Sequence, residues 1–249
     1  MEDVTIILQG RVSQECYDFY IKHYTKYKVI ISTWVNTEIN FENLPDNFIV
    51  LLSQYPDKPG TQNANYQIVS TLNALKCIST KYTIKFRADE YWSNPERILF
   101  NLKEQPNKIH SAPVFFRHWN HINYHISDHI IAGTTDNMKI MFENAKYNFD
   151  NDLITHTMRG KEHTFWEPEI TITKSYLRAK EPHRFEKMDG RIVMVDNFNI
   201  LDIELLKPYK IKSTAMQTDW YDNFVPEQNH SISKIEQMFQ GPPYIVPRA

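Results

Sequence analysis

The chain has 249 residues, 41% hydrophobic and 23% charged, with a formal net charge of -2. That is ample apolar material for one packed α/β domain with extensions, or at most two small domains. It excludes a disordered chain and an overall basic field that would hold nucleic acid by its phosphates, although a local basic patch stays open. The two cysteines, Cys16 and Cys77, exclude a disulfide scaffold, fit core packing and suit a reducing, cytoplasmic setting. No apolar run approaches the roughly 20 residues of a membrane span. The acidic start enters an apolar strand at once, without the pattern of a signal peptide.

Val4 to Leu8 reads as a buried strand that ends at Gln9-Gly10. A helix follows over Ser13 to Tyr24, with Ser13 as its N-cap. Lys28 to Thr33 and Ile49 to Leu52 are the next two strands. Tyr55 to Asn65, with Pro56, Pro59 and Gly60, is a loop. Gln67 to Ile78 then sets Ile68, Val69, Leu72, Leu75 and Ile78 on one helix face. Thr83 to Phe86 is a fourth strand, ending in Arg87-Ala88-Asp89-Glu90. Asn94-Pro95-Glu96 opens a helix. Ala112 to Phe116 and Asp128 to Ala132 read as strands, Asp136 to Ala145 as a helix, and Glu167 to Leu177 as a helix with Pro168 first. Arg191 to Val195 reads as a strand, and from Asp219 onward the polar, Pro-containing sequence reads as a loose tail. Short buried strands alternating with helices predict a mostly parallel sheet flanked by helices. Residues 1–180 form the main domain in this reading. Residues 181–249 are a C-terminal extension packed on it, with the seam between Lys180 and Asp189.

In open α/β sheets ligands bind at the carboxyl ends of strands. Here those ends carry Gln9-Gly10-Arg11, Thr33-Trp34, Arg87 to Glu90, and Arg117-His118, although loops are polar in any case. A carboxylate such as Asp89, just past a buried strand, can hold a hard divalent cation; it can equally cap a turn. His118, His121, His125 and His129 are spaced by three, four and four, but the interleaved isoleucines break a clean helical period and a zinc cluster is disfavoured. The glycine-rich dinucleotide loop, the GxxxxGK[ST] loop and the GxSxG elbow are all missing.

The run Asn65 to Leu75, then Thr80 to Asp89, resembles the WavE-type family of polysaccharide glycosyltransferases. Ile6 to Val12, the end Ser32-Thr33-Trp34, Ser127-Asp128-His129 with Gly133, and Pro168-Glu169 fit it too. The resemblance covers about residues 4 to 180 and extends to small virus-encoded glycosyltransferase domains. It implies a GT-A, Rossmann-like fold. It also implies a nucleotide-diphosphate sugar donor, a glycan acceptor and a divalent metal, Mn²⁺ or Mg²⁺. The site would lie in the cytoplasm, the host's if the chain is virus-encoded. The GT-A metal motif is commonly Asp-x-Asp; the matching triplet here is Arg87-Ala88-Asp89, so Arg replaces the first acid. Asp89 becomes the metal carboxylate, and Arg87 pairs with it or contacts donor oxygens.

The implied reaction is an inverting transfer of a hexosyl or deoxyhexosyl group to an acceptor hydroxyl. Its base would be Asp128 or Glu169, each of which has a structural role as rival. Gln9, Gly10, Arg11, Thr33, Trp34, Gln67 and Arg87 would form the donor pocket. Gly10 would let the backbone approach closely, Trp34 would stack on a base or fill core, and Gln67 would open its helix towards a phosphate. A non-catalytic nucleotide-sugar or carbohydrate-binding module with a degenerate site is the alternative. A metal-dependent phosphoesterase built on the histidines ranks last.

Overall fold

The computed structural model describes residues 3–112, 114, 124–153, 156–158, 161–163, 167–188, 190–202, 206–207 and 209–210. Its centre is a seven-stranded sheet. In chain order the strands are β1 (Val4–Gln9), β2 (Lys28–Trp34), β3 (Phe48–Ser53), β4 (Tyr82–Arg87), β5 (Tyr91–Trp92), β6 (Ile109–Ser111), β7 (Ile130–Thr134), β8 (His156–Met158), β9 (Lys161–His163), β10 (Phe198–Ile200) and β11 (Tyr209–Lys210). The large sheet runs β10-β6-β7-β4-β1-β2-β3, while β11-β5 and β8-β9 are separate pairs. Strands β1, β2, β3 and β4 pair in parallel, as do β10 and β6. Only β7 runs against its neighbours in this sheet, β4 on one side and β6 on the other. The expectation of a mostly parallel sheet flanked by helices holds.

The helices are α1 (Gln14–His23), α2 (Ala64–Leu75), α3 (Pro95–Glu104), α4 (Thr135–Asp150), α5 (Pro168–Lys180), α6 (Pro182–Lys187) and α7 (Gly190–Asn197). They cover both faces of the sheet, which is why β1 is buried along its whole length. Alternate residues of β1 enter opposite cores. Ile6 and Leu8 join Tyr20, Tyr24, Phe86, Trp92 and Ile98 on the side of α1 and α3. Ile7 joins Ile68, Leu75, Met138, Phe142 and Tyr176 on the side of α2, α4 and α5. Strand β3 lies at the sheet's edge and is only partly buried, with Ile49 and Leu52 exposed.

Local signals account for several boundaries. Ser13 caps α1 by accepting from the Cys16 amide at 3.3 Å. Pro95 and Pro168 stand at the starts of α3 and α5, where a missing N–H costs nothing. Thr134 caps α4, accepting from Asn137.

Four expectations need correction. Arg191 to Val195 is helical, inside α7, with Val193 and Met194 buried and Ile192 exposed. A five-residue apolar run does not separate a strand from a buried helical turn, and packing overrode the β-branched preference. The strand expected over Ala112 to Phe116 lies earlier, at β6; Pro113, Phe115 and Phe116 fall outside the described residues. Helix α2 begins at Ala64 rather than Gln67, because a single 3₁₀ turn over Thr61–Asn63 leads straight into it. Cys16 is buried, but Cys77 is exposed, beyond the end of α2. The expected tail from Asp219 lies outside the described residues, and β10, from the C-terminal part of the chain, forms an edge of the large sheet.

Candidate functional site

A cleft of about 560 Å³ opens beside the carboxyl ends of β1, β2 and β4. Gln9, Gly10, Arg11, Trp34, Gln67, Arg87, Asp89 and Asp128 all line it. Eight residues singled out from scattered segments therefore face one space. Asp128 reaches it because β7 is antiparallel: Ile130 pairs with Phe86, so residues just before β7 lie beside the end of β4.

The floor of the cleft is cross-braced. Gln9 donates to the Ser70 hydroxyl at 2.9 Å, and Ser32 donates to the Ser70 carbonyl at 2.7 Å, tying β1 and β2 to α2. Gly10 has φ +102, which L side chains rarely adopt, and its amide donates to the Ser32 carbonyl. A Cβ at Gly10 would meet nothing within 4 Å. Backbone conformation, not crowding, is thus the reason for glycine there. Arg11 stands at the rim with its side chain 80% exposed.

Arg87 is the hub. Its Nε donates to Asp89 Oδ1 at 3.1 Å, and a terminal nitrogen donates to Asp89 Oδ2 at 3.2 Å, a two-toothed pair. The other terminal nitrogen donates to Asp128 Oδ2 at 3.4 Å. Glu90, fully buried, lies 3.7 Å from Nε and also meets His129 Nδ1 at 2.7 Å. Burial alone would weaken the guanidinium's hold on its proton; Asp128, Asp89 and Glu90 more than offset this and keep it charged.

The two candidate bases are in different states. Burial would push the Asp128 carboxyl up, but Arg87, His129, Lys85 and His125 hold it well below the usual carboxylate range. Gln67 donates to its Oδ2 at 3.0 Å, and the buried Lys85 ammonium donates to its backbone carbonyl at 2.5 Å. Burial pulls Lys85 down to about 8. Glu169 is pushed up to about 8 by burial and then by the charge of Asp128. These opposite shifts favour the ionised form of Asp128 and the protonated form of Glu169. Glu169, at the second position of α5, is not among the lining residues; Pro168 beside it is.

One wall is aromatic. Tyr55 stacks on Trp34 at 4.5 Å between centroids, and Tyr66 approaches both rings, at 5.3 Å from Trp34 and 5.0 Å from Tyr55. Trp34 is 4% exposed and Tyr55 is 39% exposed, so of this stacked pair Tyr55 faces solvent. Thr33 is fully buried in β2 and does not line the cleft.

A profile of the family described as WavE lipopolysaccharide synthesis matches residues 7–236. The chain belongs to this family. The WavE match extends past the residues 4 to 180 that carry the sequence resemblance and indicates a role in polysaccharide synthesis. Comparison with curated proteins gives no match. Among solved structures, HddC from Yersinia pseudotuberculosis is similar over 55% of this chain and 78% of its own, at 11% identity and a TM-score of 0.36.

Among the described residues, the donor set around Asp89 does not fit a divalent cation held by the protein alone. A hard cation held by protein alone needs about six oxygens, whereas Mg²⁺ is commonly held by one or two carboxylates completed by waters and substrate phosphates. Both oxygens of Asp89, the expected ligand, accept from Arg87. Among the described residues no three His, Cys, Asp or Glu side chains converge as a metal site. Of the spaced histidines, His118 and His121 lie outside the described residues. His125 sits 3.7 Å from Glu167 and 3.9 Å from Glu169, and His129 sits against Glu90.

Sequence reasoning missed Tyr55, Tyr66, Gln62 and Asn63 in the cleft wall. A signal was available: two tyrosines bracket the Pro- and Gly-containing loop after the third strand. Gln62 and Asn63 have φ of 52 and 61, a left-handed turn that aims this loop at the cleft.

Proposed function

We propose that this WavE-family protein is an inverting glycosyltransferase of GT-A type, moving a hexosyl or deoxyhexosyl group from a nucleotide-diphosphate sugar to a glycan hydroxyl. The observation that carries this reading is the juxtaposition of the Arg87 guanidinium with ionised Asp128 in one cleft at the strand ends. Membership of a polysaccharide-synthesis family supplies the substrate class.

In this reading the nucleotide base lies against Tyr55, and Arg87 meets the diphosphate. The acceptor oxygen forms its bond to the anomeric carbon as the bond from that carbon to the diphosphate oxygen breaks. The electron pair leaves with the diphosphate, whose growing charge Arg87 stabilises. The acceptor proton passes to Asp128. Two carboxyl groups whose environments drive their proton affinities apart identify each other's roles. Asp128, which favours the ionised form and lines the cleft, is the base in this reading; Glu169, which favours the protonated form, is not among the lining residues.

The test is turnover. Purified protein is incubated with a panel of nucleotide sugars and oligosaccharide acceptors, and nucleoside diphosphate release is followed. Asp128→Asn lowers kcat at least about 100-fold, the usual scale of a lost general base, while donor binding persists. Donor binding without turnover across the panel would instead favour a carbohydrate-binding module.

A further inference from the structure

The geometry points to Arg87 as the fixed cation of this site: the guanidinium, gripped by Asp89, receives the donor's diphosphate directly, and Asp89 is a positioning residue rather than a metal ligand. The inference rests on the transferase reading above and deepens it.

Its first support is the occupancy of Asp89. The carboxylate meets the Nε side of the guanidinium with both oxygens, a rigid fork-on-fork match that fixes the plane of the Arg87 head. A divalent cation at Asp89 would have to displace that pair, and with no converging side-chain set among the described residues it would depend on the diphosphate and water for its other ligands. The second support is what the fork leaves over. One terminal nitrogen is shared with Asp89 and the other with Asp128 at a longer 3.4 Å. Each keeps a further N–H, and Arg87 lines the cleft. The third is the neighbourhood. Arg11, at the rim of the same cleft with its only ion pair among the described residues a loose 4.0 Å contact to Glu38, can add a second cation over the same anion.

A consequence follows for Asp128. A diphosphate that takes up the outer N–H groups of Arg87 competes with Asp128, the weaker of its two hydrogen-bonded carboxylates. Asp128 then gives up part of its contact with the guanidinium as the donor binds. Donor binding and readiness to accept a proton are coupled through one side chain.

The experiment is calorimetric titration of the full chain with UDP, GDP, ADP, CDP, dTDP and inorganic diphosphate, in excess EDTA and in excess Mn²⁺. A nucleoside diphosphate is expected to bind with the same affinity in both, and the Mn²⁺ EPR signal is expected to show no protein-bound population without nucleotide. Arg87→Gln weakens binding about 10- to 150-fold, the loss of charge-assisted hydrogen bonds. Arg87→Lys keeps the charge beside the buried carboxylates and is the variant to use if Arg87→Gln does not fold; it weakens binding less, but in the same metal-independent way. Asp89→Asn lowers affinity equally in EDTA and in Mn²⁺, and Asp89→Glu recovers part of it. Binding that appears only with Mn²⁺, together with loss of a protein-bound Mn²⁺ signal in Asp89→Asn, overturns the inference and leaves the transferase reading standing. Failure of every diphosphate to bind under both conditions overturns both.

Discussion

Replacing Arg87 by Met tests how strongly the site is held together by one charge. Met keeps the length of the side chain and removes the cation. Three carboxylates then lose their counter-ion: Asp89 at 3.1 Å, Asp128 at 3.4 Å and Glu90 at 3.7 Å, with side chains 20%, 8% and 0% exposed. Removing one partner of a buried pair costs about 3–5 kcal/mol, chiefly because the other charge stays buried and uncompensated. The lower end applies here, since Arg87 is 27% exposed and His129 remains against Glu90. A loss of about 3 kcal/mol in a chain of 249 residues lowers Tm by about 6 °C, at about 2.1 cal/mol/K of unfolding entropy per residue. Urea unfolding at pH 7 reads the loss without screening the charges. In an Asp128→Asn background the same substitution costs less, because one of the three stranded charges is gone. The deficit also shrinks as pH falls, since carboxylates without their cation take up protons more readily in the folded state. A loss below about 1 kcal/mol, or the same loss with and without Asp128, refutes the idea that Arg87 neutralises this cluster.

Three further outcomes are expected. The neutral form of Glu169 contributes stability that is fully present below the ordinary glutamate value of 4.5 and is lost as pH rises through about 8; Glu169→Gln flattens that fall, and urea midpoints with the same pH slope in both proteins contradict it. Gly60 has φ +72, and a Cβ there would sit 2.5 Å from Cε2 of Phe149, so Gly60→Ala costs about 1–3 kcal/mol. Trimming Phe149 to Leu in that background recovers only part of the loss, because the backbone strain persists; full recovery in thermal melts assigns the cost to the clash alone. Tyr55→Ala removes the exposed ring stacked on Trp34 and weakens nucleotide binding by about 1–3 kcal/mol, the scale of base stacking, while urea midpoints stay nearly unchanged. Unaltered affinity for the nucleotide moves the base elsewhere in the cleft.

Much of this protein was legible in its residue order. The buried strand Val4–Gln9 carries a largely apolar run because helices cover both faces of the sheet. Ser13, Pro95 and Pro168 mark helix starts through local backbone chemistry that needs no distant partner. Gln9, Gly10, Trp34, Arg87 and Asp89 could be assigned to a common site because parallel strands carry their carboxyl ends to the same edge. Other features depended on contacts that no local pattern encodes. The helical state of Arg191 to Val195 came from burial of Val193 and Met194. Asp128 entered the cleft only because β7 runs antiparallel to β4, which turns the start of one strand into the neighbour of another's end. The state of Asp89 was likewise decided in three dimensions. Sequence can place an acid two residues from an arginine, but whether the two clasp each other or the acid stays open to a cation depends on how the turn after β4 aims both side chains into the cleft.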